Sequence, residues 1–153
     1  QTCALPIYEQ GGAVSRSRKI APTLAEIDAM AREALSSLPP ELKQFTSDVV
    51  LQIEDFPSDE VCAEMDLETP FDILGLYQGI SLADKRTDAS GTLPDMVFLY
   101  RRPILDYWCE SGEDLAHIVR HVVIHEIGHH FGFSDETMEA IEAAAEAEDS
   151  GET

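Results

Sequence analysis

The chain has 153 residues, with 44% hydrophobic side chains, enough for one domain with a real core. Its 10 lysines and arginines against 30 aspartates and glutamates give a net charge of -20. That balance argues against a nucleic-acid partner, whose phosphates need clustered cations, and no apolar run approaches the roughly 20 residues of a membrane span, so no membrane partner is expected.

Residues 1–19 begin without methionine and include Gly11, Gly12 and the run Ser15-Arg16-Ser17-Arg18-Lys19. They read as a segment that is disordered or not native to the domain, which is expected to occupy residues 20–143. Pro22 and Thr23 introduce a helix over Leu24–Leu38, with Leu24, Ile27, Ala31, Ala34, Leu35 and Leu38 on one stripe, and Pro39 and Pro40 stop it. Alternating Val49, Leu51 and Ile53 predict a strand within Ser47–Phe56, and Ser58 caps a short helix running to Met65. Ile73–Ile80 reads as a second strand broken by Gly75 and Gly79, followed by a polar loop over Ser81–Leu93. Met96–Tyr100 is a third strand; an edge for an extended peptide is one reading of it, with an ordinary sheet strand buried on one face the better one.

Pro103 then opens a short helix with Leu105 and Trp108. A long helix starts near Ser111 or Gly112 and ends before Gly132, anchored by Leu115, Ile118, Val119, Val122, Val123 and Ile127. Met138, Ile141 and Ala145 mark a final amphipathic helix, and residues 144–153 read as an acidic tail. This order predicts an α+β architecture, a small mixed sheet with helices over one face.

The chemistry concentrates in His125-Glu126-Ile127-Gly128-His129-His130-Phe131-Gly132-Phe133-Ser134-Asp135. A four-residue spacing on a helix stacks His125 and His129 on one face, within reach of a single ion. Glu126 lies about 100° round the helix from His125, off the metal axis but able to serve as general base towards an activated water. Gly132 suits the left-handed residue that ends a helix, and the turn after it brings Asp135 back as a third ligand. Three protein ligands leave a fourth position open, the mark of catalytic rather than structural zinc. His117 and His121 continue the four-residue series and read as surface or supporting residues, His130 as a solvated or hydrogen-bonded one. Tyr77, Tyr100 and Tyr107 are candidates for stabilising an oxyanion, with aromatic packing the better reading for all three.

The stretch from His125 to Glu136 resembles the signature of the minimal zincin family, small bacterial metallopeptidases with a minimal matrix-metalloprotease-like domain. Ile53-Glu54-Asp55-Phe56-Pro57, Leu74-Gly75-Leu76-Tyr77-Gln78-Gly79, Leu93-Pro94-Asp95 and Phe98-Leu99-Tyr100-Arg101-Arg102-Pro103-Ile104-Leu105 agree with it, so the resemblance extends from about Leu24 to Ile141. It implies a zincin-like α+β fold, one zinc ion and peptidase activity on a peptide or protein substrate. In the related metzincin signature a third histidine often stands where this chain has Asp135, and no methionine turn follows; Met138 reads as packing on the last helix.

The expected function is therefore peptide-bond hydrolysis by a zinc-activated water, with Glu126 as base and His125, His129 and Asp135 as ligands. The alternatives are a metal-binding interaction domain with weak or no activity, and an amidohydrolase of small molecules; a His/His/Asp set also suits iron. Cys3, Cys62 and Cys109 form no CxxC pair, and the start lacks a secretory pattern, which together point to a reducing, cytoplasmic location.

Overall fold

The computed structural model describes residues 20–79 and 95–151. The segment 1–19, Ile80 at the end of the second expected strand and the polar loop Ser81–Leu93 lie outside them. The first helix, α1 (Leu24–Ser36), opens on a reciprocal cap: the Thr23 hydroxyl accepts from Glu26 N at 3.2 Å, and the Glu26 carboxylate accepts from Thr23 N at 2.7 Å. Ile27, Ala31 and Ala34 are buried as the stripe predicts, whereas Leu24, in the first turn, is exposed.

Pro39 and Pro40 end α1 but also start α2 (Pro40–Thr46), a helix absent from the sequence reading. Proline at the first helical position loses no hydrogen bond and brings its φ already set, so the same pair both stops and starts. The strand β1 (Val50–Glu54) buries Leu51 and half-buries Ile53, and α3 (Asp59–Glu64) is capped by the Ser58 hydroxyl, which accepts from Val61 N at 3.2 Å.

The strands β2 (Gly75–Gln78) and β3 (Met96–Tyr100) complete a three-stranded sheet of order β1-β3-β2, with β1 parallel and β2 antiparallel to β3. Met96–Tyr100 is therefore the central strand. Its backbone is paired on both sides, so it offers no edge to a peptide; among the described strands, β1 and β2 lie on the outside. Val97 and Leu99 are fully buried on one face of β3, each contributing about 1.5–3 kcal/mol of hydrophobic stabilisation.

The chain turns from β3 directly into α4 (Arg101–Ser111). This helix begins two residues before Pro103, which sits in the first turn where its missing N–H has no intrahelical partner to lose. Gly112 closes α4 at φ 70°, so the long helix α5 (Leu115–Phe131) starts later than its composition suggests, at Asp114, whose carboxylate accepts from His117 N at 3.2 Å. Leu115, Ile118, Val119, Val122, Val123, Ile124 and Ile127 of α5 are buried against α1 and the sheet. The result is an α+β domain whose small mixed sheet packs against helices.

The last helix, α6 (Asp135–Ser150), packs on α5 and continues well past residue 144. Its key contact is Met138, 2% exposed, lying on Gly128; a Cβ at residue 128 would run into the Met138 Sδ and Cγ. Met138→Ala should cost about 2–5 kcal/mol by leaving a cavity. Gly128→Ala should destabilise the wild type but be neutral or stabilising in the Met138→Ala background, a sign change that a double-mutant cycle on urea midpoints would reveal. Additive effects would mean that the two residues do not share this contact.

Candidate metal centre

The C-terminal half of α5 carries His125, Glu126 and His129. The one-turn spacing brings His125 and His129 together with Nε2 atoms 2.8 Å apart and rings perpendicular, centroids 4.3 Å apart. That separation is within hydrogen-bond distance. His125 and His129 would hold a single ion through these two nitrogens. Two imidazoles on the accessible side of a buried helix are a donor set that fits zinc.

Glu126 points to β2 instead of along the histidine face. Its Oε2 accepts from Tyr77 N at 3.1 Å. This contact requires β2 to lie close on α5, which Gly75 permits: a Cβ there would come within 2.7 Å of Val122 Cγ1 and 3.0 Å of the Phe98 carbonyl oxygen. Gly75, read from sequence as a break in a strand, is the first residue of β2 and serves close approach. Burial pushes the Glu126 carboxyl above its ordinary range; the Tyr77 N–H and then the nearby His125 and His129 oppose that rise. The residue lines a cleft of about 220 Å³ with Ile73, Leu74, Gly75, His121, Val122 and His125.

Asp135 takes another position. Gly132, at φ 71°, ends α5 with the Phe133 N–H donating to the Gly128 carbonyl at 2.9 Å. Ser134 then caps α6, accepting from Thr137 N at 3.3 Å, and leaves Asp135 exposed in the first helical turn. The structure brings the two histidines together and does not bring Asp135 to them: among the described residues, no three His, Cys, Asp or Glu side chains form a group able to hold an ion.

The remaining histidines have defined partners. His121 stacks on His125 with centroids 5.4 Å apart and places Nδ1 2.8 Å from Glu142 Oε1; His117 Nδ1 meets Glu146 Oε1 at 2.7 Å. Both are surface residues, and both tie α5 to the acidic face of α6. His130 is not solvated: its side chain is 7% exposed and stacks on the Tyr77 ring at 3.9 Å. Tyr100 is buried in the core, and burial raises its phenol to about 12. Tyr107 is half-exposed on α4, where its hydroxyl lies 3.5 Å from Glu113 Oε1.

A sequence profile of the zincin-like metallopeptidases matches residues 46–145, from the end of α2 to the middle of α6. The chain belongs to the zincin-like metallopeptidase family. That matched span contains the sheet, the histidine pair, Glu126 and Asp135, and membership supports a metallopeptidase-type protein with the zinc-binding capability of the family. No curated protein matches the chain. No described helix is long and apolar enough to cross a membrane.

The contact that sequence reasoning missed is the Tyr77 N–H. Any residue but proline carries this donor, and its partner is 49 positions away, so no local pattern announces it. The raised affinity of Glu126 for its proton has a consequence for the zinc-free protein. The folded state holds that proton to higher pH than the unfolded chain, so the associated stability is full below the ordinary carboxyl range and falls as pH rises through the raised value. Glu126→Gln removes the buried charge. Urea midpoints should show the variant more stable than wild type at about pH 7 and the advantage shrinking towards about pH 4; an advantage that grew on acidification would contradict the burial effect.

Proposed function

We propose that the chain is a zinc-dependent peptidase in which Glu126 is the general base and His125, His129 and Asp135 hold the metal. The observation that carries this reading is the convergence of two imidazole nitrogens, 2.8 Å apart, beside a cleft-lining carboxylate of raised proton affinity. When bound, zinc supplies Lewis-acid activation of a water and of the substrate carbonyl.

The protein's own groups divide the remaining work. Glu126 keeps Oε2 on the Tyr77 N–H, which leaves Oε1 to take a proton from the attacking water and return it to the leaving amine. Burial brings its proton affinity closer to that of a group that both accepts and donates near neutral pH. Ile73, Leu74, Gly75 and Val122 form the apolar wall of the cleft beside Glu126. The edge strand β2 lies along the same cleft, and an extended peptide would lie beside it with its carbonyl towards the histidines. Asp135, one residue past the Ser134 cap, would have to swing from its exposed place in the first turn of α6 to complete the set as third ligand.

Elemental mass spectrometry of the purified protein tests the ligand set. Wild type and Glu126→Gln should both carry near-stoichiometric zinc, His125→Ala and His129→Ala should lose it, and Asp135→Ala should release it sooner to a chelator. In a peptide-library assay Glu126→Gln should lose about 10²–10⁴-fold in turnover. Zinc uptake without hydrolysis of any peptide would move the assignment to a metal-binding domain; no uptake after reconstitution would end it.

A further inference from the structure

Beneath the cleft lies a buried polar cluster that hydrolysis as described does not use. The Tyr77 ring lies flat on the His130 imidazole, with centroids 3.9 Å apart and an interplanar angle of 14°. Its hydroxyl oxygen is buried, and Asp95, 8% exposed, places Oδ2 3.9 Å from His130 Nε2. Gly79 is packed on both neighbours: a Cβ there would run into Asp95 Oδ1 and come within 2.8 Å of Tyr77 Cε1. The Tyr77 side chain is thus lodged between the end of α5, next to His129, and the residue that leads into β3.

The main chain of the same residue faces the other way. The Leu74 carbonyl accepts from Tyr100 N at 3.0 Å, and in an antiparallel ladder bonded and non-bonded pairs alternate. Leu76 and Gln78 therefore bond to β3, while Gly75 and Tyr77 turn their N–H and C=O groups outward. The outward N–H of Tyr77 is the one that Glu126 accepts.

We propose that Tyr77 is the positioning residue of Glu126: its ring, clamped on His130 beside Asp95, determines where its own N–H stands, and that N–H orients the carboxylate. The strand β2 has four residues and, among the described residues, one strand neighbour. Its first residue is held by the close approach of Gly75 to Val122, and its third by the ring stack. Without the stack the strand pivots about Gly75, and a hydrogen bond weakens steeply as its angle departs from linear. A displacement of about 1 Å in a catalytic group is enough to cost about 10²-fold in rate.

The effect on turnover rests on the peptidase reading; the clamp itself does not, and the experiment separates them. Amide hydrogen exchange at residue 77, followed by NMR in the zinc-free full chain, should be slowed in wild type and in Glu126→Gln, whose amide oxygen still accepts. It should quicken about tenfold in Glu126→Ala and in Tyr77→Leu, as loss of one hydrogen bond implies. In the zinc-loaded protein Tyr77→Leu should lower kcat about 10–100-fold at unchanged KM and zinc content, and Tyr77→Phe, which keeps the ring, should restore most of it. Equal exchange at residue 77 in wild type and Glu126→Ala would overturn the proposal, as would wild-type exchange and kcat in Tyr77→Leu. A wild type that hydrolyses nothing defeats the peptidase reading, and the exchange comparison then decides the clamp alone.

Discussion

The close approach of β2 to α5 is the constraint on which the rest of the site depends. Helix α5 buries one side against α1 and the sheet, so only a narrow strip of its surface remains to carry chemistry. Glycine at position 75 lets an edge strand settle on that strip, and the strand's backbone then reaches a carboxylate that would otherwise be buried without a strong donor. A partly buried carboxylate that accepts a backbone N–H is held in place yet binds its proton more readily than usual, because the N–H offsets only part of the lost hydration. Position and proton affinity, the two properties that the proposed role of Glu126 needs, thus come from one piece of packing.

The junction between α5 and α6 works differently. There the close approach is between Gly128 and Met138, and the helices are tied further along by His117 with Glu146 and His121 with Glu142. The acidic excess of the chain is partly explained by this face: Glu142 and Glu146 partner histidines and do not form a free anionic surface. The ordered α5–α6 turn, with its left-handed Gly132 and the Ser134 cap, also decides where Asp135 stands. Helix capping, a local preference, sets Asp135 in the exposed first turn of α6.

Elements with strong local signals were legible before any tertiary structure. Thr23 with Glu26, the stripe of Ile27, Ala31 and Ala34, Ser58 as a cap and the alternation around Leu51 each declare themselves within a few residues. The misplaced boundaries all involve residues with two uses. Pro40 starts a helix as readily as it prevents one from continuing, Gly112 ends α4 instead of opening α5, and Gly75 belongs to a strand that only it allows to form at that distance. The order of strands was not readable either. Met96–Tyr100 has the composition of any half-buried strand, and only the pairing of β1 and β2 on its two sides makes it central.

By itself the sequence determined the chemistry on offer: two histidines one helical turn apart, a glutamate beside the first, and the α+β content around them, because helical spacing and capping depend on near neighbours. Tertiary structure alone decided which of those groups meet. The bond from Tyr77 to Glu126, the burial of His130 under an aromatic ring and the contact of Met138 with Gly128 depend on how β2 and α6 lie on α5. Those placements follow from the volumes of side chains far apart in the chain, Val122 against Gly75 and Met138 against Gly128, and no local pattern encodes a contact of that kind.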